Sequence, residues 1–241
     1  MISGAPATVV AMVLYGSHAR GDADDASDTD VAVFSHATTA RDLEIVKRTL
    51  VALGGALESP DFSVYSTATA GKMAEAGSLF LWHLRLEGRV LYEEAGWLEG
   101  LWQRLKPYSA GGAAEAVDVI EMVVSDIVIA LSGAPTTTPF EAATLFSMVR
   151  TLGMVIGQAT GKPAFGRRSS VDRLRATLGS DFTLTPSELA NLEGARLAYS
   201  GKAEARSCAG DVQQQYLGAA LKVIRMIEPI RRMACSALEI A

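Results

Sequence analysis

The hydrophobic pattern changes character near residue 95, and this change constrains the fold more than any other feature. Before it, short apolar runs alternate with a helical pattern, in the order TVVAMVLY, DTDVAVFS, TARDLEIVKRTLVALGG and FSVYS. The third run has apolar residues three or four positions apart, at Leu43, Val46, Leu50 and Leu53. That spacing predicts a helix between strands. SLFLWHLRLEGRVLYEE then predicts a helix followed by a short strand.

Beyond this point the pattern is helical throughout. One apolar stripe consists of Val117, Ile120, Val124, Ile127 and Leu131, and PFEAATLFSMVRTLGMVIGQATG carries another. Further helices are predicted over SSVDRLRATLG, over TPSELANLEGARLAYSG and from Asp211 onward. In the second of these, Thr185 is the N-cap, Pro186 the first helical residue, and Glu188 completes a capping box. Pro229 should kink or split the last helix. The sequence therefore predicts two domains, 1–95 and 96–241, of which the second is an all-α helical bundle.

Composition excludes several classes of protein. Two cysteines and three scattered histidines are too few for a disulfide framework or a zinc site, which makes the cytoplasm the expected compartment. The first 17 residues have no Lys or Arg before their apolar run, and we interpret them as the first strand rather than a secretory signal. Asp118, Glu121 and Asp126 interrupt the longest candidate membrane span, so no membrane association is expected. A net charge of −5 argues against nucleic acid as a partner.

The stretch LYGSHARGDADDASDTDVAVF, residues 14–34, is rich in aspartate. Asp28 and Asp30 alternate at the mouth of a predicted strand, so their side chains should point to the same face. Two carboxylates placed in this way are typical ligands for Mg²⁺ that is also bound by substrate phosphates. The aspartates of the preceding polar loop have no strand to orient them, and we assign them to solvent: Asp22, Asp24 and Asp25.

A Gly-Ser pair closes the first apolar run. Gly16 allows a phosphate to approach the backbone, and Ser17 can donate through its hydroxyl and its amide. Arg20 has two interpretations, as a contact to a triphosphate or as the partner of a loop aspartate. The pair alone is a routine turn, but its distance of ten residues from Asp28 makes the pattern more specific.

This arrangement of Gly16-Ser17 and Asp28-x-Asp30 resembles the signature of the nucleotidyltransferase domain of the DNA polymerase β superfamily, particularly its minimal branch. The resemblance covers roughly residues 8–95 and implies an α+β fold with a mixed sheet and catalysis on its open face. It also implies ATP or another nucleoside triphosphate as substrate and two Mg²⁺ ions as cofactors.

The resemblance further implies a third carboxylate from a later strand. PDFSVYS supplies it as Asp61, with Phe62 and Val64 alternating into the core, and Glu58 is the substitute if the strand register differs. Asp28, Asp30 and Asp61 would then be metal ligands and catalytic residues, while Gly16, Ser17 and Arg20 would bind the nucleotide. Two departures are a missing or nearly missing helix before the first strand, and His18 where an Arg is common.

The helical half loosely resembles the HEPN-type bundles that accompany minimal nucleotidyltransferases. Ribonucleases of that group need an Arg followed closely by His, and no His follows His83, so no ribonuclease activity is expected. The bundle is expected to shape the acceptor site or to form the interface of a homo-oligomer.

Two hypotheses for the function follow. The first is a Mg²⁺-dependent transfer of AMP from ATP to a hydroxyl of a protein or small-molecule acceptor, with Asp61 accepting the hydroxyl proton. An aminoglycoside-like cation would suit the acidic N-terminal half, and a protein tyrosine would suit the minimal branch. The second is a catalytically silent module that uses the same fold to bind a partner protein.

Overall fold

The chain forms two compact units, Met1–Tyr108 and Ser109–Ala241. The computed structural model describes residues 8–24, 27–53, 60–133, 140–201 and 210–240. The first unit contains a mixed sheet with helices, and the second is helical. The predicted α+β class is therefore confirmed.

In the part of the first unit that the structure describes, four strands build the sheet, namely β1 (Val9–Tyr15), β2 (Thr29–Ser35), β3 (Pro60–Ser66) and β4 (Arg89–Glu93). Their order in the sheet is β3-β2-β1-β4, so β3 and β4 are its edges. β2 and β3 are parallel, whereas β1 runs antiparallel to both β2 and β4. A parallel pair needs a crossover connection, and the helix predicted between these strands provides it.

The described residues of this unit form five helices: α1 (Gly16–Arg20), α2 (Ala40–Leu53), α3 (Thr67–Glu75), α4 (Leu79–Glu87) and α5 (Trp97–Arg104). The sequence patterns predict α2 and α4 but not the other three. α1 is only five residues long, and α3 has small residues where an apolar stripe would be expected. Ser66 caps α3 by accepting a hydrogen bond from the amide of Thr69.

Both faces of the sheet are covered. Val31 and Val33 of β2 pack on one side with Val46 and Leu50 of α2. On the other side, Ala32 and Phe34 of β2 pack in a second core with residues of α3, α4 and α5 and with the residue that follows α5. These residues include Ala70, Leu81, Leu98, Leu101 and Leu105. Because α5 contributes to this core, the first unit extends to Tyr108, beyond the predicted domain boundary at residue 95.

The second unit consists of α6 (Ala110–Ser132), α7 (Phe140–Ala159), α8 (Arg167–Leu178), α9 (Pro186–Tyr199) and α10 (Gly210–Glu239), with a short 3₁₀ turn at Gly179–Asp181. All five residues of the predicted stripe in α6 are buried. The capping box at Thr185 and Glu188 is present at the start of α9. Pro229 lies inside α10, which continues for 30 residues and is not split.

α7 is the central helix of this unit, packed by α6, α8, α9 and α10. It is also long and apolar enough to cross a membrane, unlike the segment singled out from the sequence. More than half of its most apolar window, 56%, is buried inside the protein, which is typical of the core helix of a soluble domain.

α7 and α8 approach each other so closely that there is no room for a side chain at Gly153 of α7. A Cβ atom at Gly153 would overlap the carbonyl oxygen of Ser170. We expect Gly153→Ala to lower the free energy of unfolding by about 1–3 kcal/mol, because the backbone of α8 must shift. Calorimetric melting of the full chain measures the effect.

Gly194 is the matched control, since a Cβ added there meets nothing within 4 Å and the residue lies inside α9. Gly194→Ala should raise the free energy of unfolding by about 0.5–1 kcal/mol, because Ala loses less conformational entropy in a helix. Equal melting temperatures for both variants would contradict the close approach of α7 and α8.

Candidate active site

The candidate site lies at one end of the sheet, where β1 ends and β2 and β3 begin. Asp30 is the second residue of β2 and Asp61 the second residue of β3. The two are direct partners in the parallel register, and partners in neighbouring strands carry their side chains on the same face. Tyr15, the last residue of β1, is paired with Asp30 from the other side. The sheet therefore brings together the ends of three strands around two carboxylates.

Gly16 directly contacts the first of these carboxylates. Its φ is +73°, in the left-handed region, and a Cβ added to it would lie 2.5 Å from Oδ2 of Asp30. Ser17 follows within α1, and its carbonyl oxygen accepts hydrogen bonds from the backbone amides of Gly21 and Asp22. Only glycine adopts this backbone conformation readily and, having no side chain, also leaves room for the carboxylate of Asp30 against its Cα. The structure thus brings the predicted Gly16-Ser17 turn against Asp30.

Asp28 immediately precedes β2 and is exposed, whereas Asp30 is partly buried. Thr29 between them is buried, as are Val31 and Val33. This agrees with the predicted alternation, in which Thr29, Val31 and Val33 face the core on the opposite side. Asp28 is therefore beside the site rather than within the paired strands.

Asp61 carries the more exposed carboxylate of the in-register pair. Its side chain is 65% exposed, and Oδ1 lies 3.7 Å from Nζ of Lys47 on α2. Exposed ion pairs of this kind contribute between about 0 and 1 kcal/mol. A ligand can therefore displace Lys47 from Asp61 at little cost.

Tyr15 and Tyr65 add two phenol groups to the face of the carboxylates. Burial raises the pKa of Tyr15 to about 12; the negative charges of Asp30 and Asp61 also raise it, while a hydrogen bond with Ser63 acts in the opposite direction. Burial likewise raises the pKa of Tyr65, again against a hydrogen bond with Ser63. Both phenols are consequently neutral at physiological pH and can act as hydrogen-bond donors.

Aromatic rings cover the same face further along the strands. Tyr65 packs on Phe34 and Phe80, with ring centroids 6.0 and 5.4 Å apart, and Phe34 packs on Trp97 at 5.0 Å. The face expected from the resemblance to be open is therefore covered by α4 and α5 beyond the first residues of β2 and β3. The carboxylates lie at the end of the sheet, where this cover stops.

Arg20 is engaged by two carboxylates. Its guanidinium lies 3.1 Å from Glu87 at the end of α4 and 3.2 Å from Asp22. Burial alone would raise the pKa of Glu87, but hydrogen bonds from His83 and Arg20 outweigh it and lower the pKa. Of the two interpretations of Arg20, the structure displays the contact with a loop aspartate. This network also fixes α1, and with it Gly16 and Ser17, against α4.

The described loop aspartates, Asp22 and Asp24, lie outside the paired strands. Asp22 and Asp24 are exposed, and Asp24 accepts a hydrogen bond of 2.8 Å from the hydroxyl of Ser27. Asp25 and Glu58, the latter named as the alternative third carboxylate, lie outside the described residues. Among the residues that the structure describes, no three His, Cys, Asp or Glu side chains are arranged to hold one metal ion.

Three residues contact the paired carboxylates or their tyrosine neighbours but were not predicted from the sequence: Ser63, Tyr15 and Lys47. Ser63 could have been found from strand periodicity, since it lies two residues after Asp61 on the same face. Tyr15 precedes the Gly-Ser pair, but nothing in the sequence pairs it with Asp30. Lys47 comes from α2, and its contact with Asp61 depends on how that helix packs.

The raised pKa of Tyr15 predicts a specific sensitivity to alkali. Below an unfolded-state pKa of about 10, Tyr15 is protonated in both states and its contribution to stability is intact. As pH rises to about 12, the unfolded state loses the proton first, and this contribution disappears. Tyr15→Phe should therefore lose less stability than the parent between about pH 9.5 and 11.

Urea unfolding of both proteins across this range measures the difference. The pKa of Tyr65 is also raised, so Tyr15→Phe should still lose some of its free energy of unfolding at alkaline pH. Identical pH dependence in the parent and in Tyr15→Phe would show that Tyr15 is not buried beside the carboxylates.

Residues 4–75 match the family model described as the nucleotidyltransferase domain. This range contains Gly16, Ser17, Asp28, Asp30 and Asp61, but it covers less than half of the chain. No curated protein matches the chain by sequence. The N-terminal part of this protein is therefore a nucleotidyltransferase domain, and the chain is an enzyme of the nucleotidyltransferase class.

Proposed function

We propose that the enzyme transfers AMP from ATP to a hydroxyl group of a protein or small-molecule acceptor, and that the reaction depends on Mg²⁺. The observation that supports this most directly is the in-register pairing of Asp30 and Asp61 at the end of the sheet where Gly16 contacts Asp30. General nucleotidyl transfer follows from the family; ATP, Mg²⁺ and the acceptor class are the proposal.

The donor set at this end of the sheet fits Mg²⁺. The ion prefers oxygen ligands and is commonly held by one or two carboxylates together with substrate phosphates. Asp30 and Asp61 would provide the protein ligands, with Asp28 beside them, as in the predicted set of Asp28, Asp30 and Asp61. Bound Mg²⁺ would neutralise the charge of the phosphates during transfer.

Gly16 and Ser17 would hold the departing phosphates in this proposal. The absence of a side chain at Gly16 allows close approach to the backbone, and the hydroxyl of Ser17 is a donor. Arg20 would reach the triphosphate only after leaving Asp22 or Glu87, its present partners. Its direct role in nucleotide binding therefore stays a prediction.

The transfer itself is an in-line displacement. The acceptor oxygen forms a bond to the α-phosphorus, the bond from that phosphorus to the oxygen of the β-phosphate breaks, and pyrophosphate leaves. Asp61 would accept the proton of the hydroxyl, since its carboxylate is the more exposed of the pair and reachable from solvent. Positioning and charge neutralisation provide most of the catalysis in such reactions.

Three expectations accompany this function. The cytoplasm is the proposed compartment, on the basis of the low cysteine content. The helical unit is proposed to shape acceptor binding or to form a homo-oligomer. Neither a membrane nor a nucleic acid is proposed as a partner.

Asp30→Asn should abolish transfer while leaving the fold nearly unchanged. The substitution removes a negative charge from a group that faces Asp61, so repulsion falls, but a metal ligand is lost. AMP transfer from α-labelled ATP and circular dichroism measure the two effects. Turnover close to that of the parent would contradict the metal assignment.

Asp24→Asn is the matched control in the exposed loop. It should change activity less than about threefold, because surface substitutions of this kind usually alter free energies by less than about 0.5 kcal/mol. A loss of activity as large as that of Asp30→Asn would contradict the assignment of the loop aspartates to solvent.

Asp61→Ala should separate catalysis from nucleotide binding. Turnover should fall by orders of magnitude, whereas Mg²⁺-ATP should still bind measurably through Asp28, Asp30 and the Gly16-Ser17 turn. Calorimetric titration with Mg²⁺-ATP and a turnover assay measure both. Glu58→Ala is the companion variant and should have little effect; the reverse result would assign the third carboxylate to Glu58.

The same titration of the parent protein tests the alternative of a catalytically silent binding module. That alternative requires no heat of binding and no thermal shift with Mg²⁺-ATP. The proposed transferase requires a measurable heat of binding and a thermal shift with Mg²⁺-ATP.

A further inference from the structure

β3 is an edge strand whose outer side has no strand partner in the described part of the chain. Alternate residues of a strand in a parallel pair direct their amides and carbonyls to the neighbouring strand, and the others direct theirs outward. Among the hydrogen bonds of the described residues, none reaches the backbone of residues 61–65 from outside β2. This edge is therefore ready to pair with another extended chain.

An open groove of about 450 Å³ runs along this edge. Residues 61–65 all line it, although consecutive residues of a strand point to opposite faces, so the groove follows the edge rather than either face. Its other wall is one side of α2, formed by Ala40, Leu43, Glu44 and Lys47. At roughly 3.3 Å per residue, five residues of β3 offer about 16 Å of pairing length.

The two edges of the sheet differ in how they are protected against pairing. β4 has charged residues at both ends, Arg89 and Glu93. β3 has a charge only at Asp61, followed by Phe62, Ser63, Val64 and Tyr65. Edge strands usually carry charges or bulges that prevent pairing with other chains, and β3 lacks a charge beyond its second residue.

We infer that this groove is the acceptor site and that its occupant is an extended protein segment that pairs with β3 and presents a Ser, Thr or Tyr hydroxyl beside Asp61. The inference rests on the proposed function, which it narrows from two acceptor classes to one. Main-chain hydrogen bonds to β3 provide affinity, and the groove between β3 and α2 receives alternate side chains.

Charge favours a basic segment. Residues 1–95 contain 13 acidic and 7 basic residues, a net charge of 7 − 13 = −6. The groove lining itself carries two acidic residues, Glu44 and Asp61, and one basic residue, Lys47. Lys and Arg flanking the acceptor hydroxyl would therefore be attracted to it. The segment's hydroxyl would then meet Asp61 at the start of β3, where the proposed chemistry takes place.

Synthetic peptides of ten residues test the inference with the full-length protein. Each has a central Tyr, Ser or Thr between alternating Val and Lys residues, and is made unmodified, N-methylated at every second residue, or N-methylated at the intervening residues. Fluorescence anisotropy measures binding, hydrogen exchange of residues 60–66 locates it, and α-labelled ATP with Mg²⁺ measures transfer.

We expect the unmodified peptides to slow hydrogen exchange in β3. One methylation pattern should weaken binding at least tenfold and the other less than about threefold, because only alternate amides of the peptide face β3 and each lost hydrogen bond weakens binding. Equal effects of the two patterns, or unchanged exchange in β3, would overturn the inference.

Two substitutions in the protein test whether the peptide binds in the groove. Ala40→Trp places a bulky side chain in the groove and should weaken peptide binding at least tenfold, comparable to the loss of about one to three hydrogen bonds. Arg41→Trp, at the exposed neighbouring position outside the groove lining, should leave binding unchanged. Binding that tolerates Ala40→Trp would place the peptide elsewhere.

Binding and transfer fail independently in this design. If the peptides protect β3 but neither they nor an aminoglycoside receives AMP, the proposed function fails and only the docking edge stands. If AMP reaches an aminoglycoside but the peptides neither bind nor accept it, the proposed function stands and this inference fails.

Discussion

The parallel pairing of β2 with β3 is the constraint on which the candidate site depends. It places Asp30 directly beside Asp61, although 31 positions separate them in the chain. The crossover that a parallel pair requires also places α2 next to β3, where it supplies Lys47 and one wall of the groove. One topological feature therefore positions the carboxylates, their basic neighbour and the proposed acceptor surface.

Aromatic side chains cover the rest of the sheet face on which the two carboxylates lie. Phe34, Tyr65, Phe80 and Trp97 form a connected aromatic layer that begins where the carboxylates end. Packing of this kind fixes side-chain positions because close-packed interiors allow little displacement. The polar groups at the end of the sheet are consequently supported by a rigid apolar layer rather than by a solvated face.

Much of this fold could be predicted because its signals are local. Alternation through Thr29, Val31 and Val33 identified the face of β2 opposite Asp30, and the apolar stripe of α6 identified its buried side. The partner of Arg20 could not be chosen in advance, since Glu87 reaches it only through the packing of α1 against α4. Similarly, the extension of the first unit to Tyr108 depends on α5 joining the sheet core, a tertiary contact that helical periodicity does not reveal.

The contact between Lys47 and Asp61 gives the site its own counter-ion. An ammonium group 3.7 Å from the carboxylate already offsets part of the repulsion between the paired aspartates. In the proposed Mg²⁺-dependent reaction, a divalent ion entering there would exchange with this ammonium instead of filling a bare acidic cluster, so the net gain of positive charge at the site would be smaller. Metal binding in the proposed reaction would then be coupled to the position of the Lys47 side chain on α2.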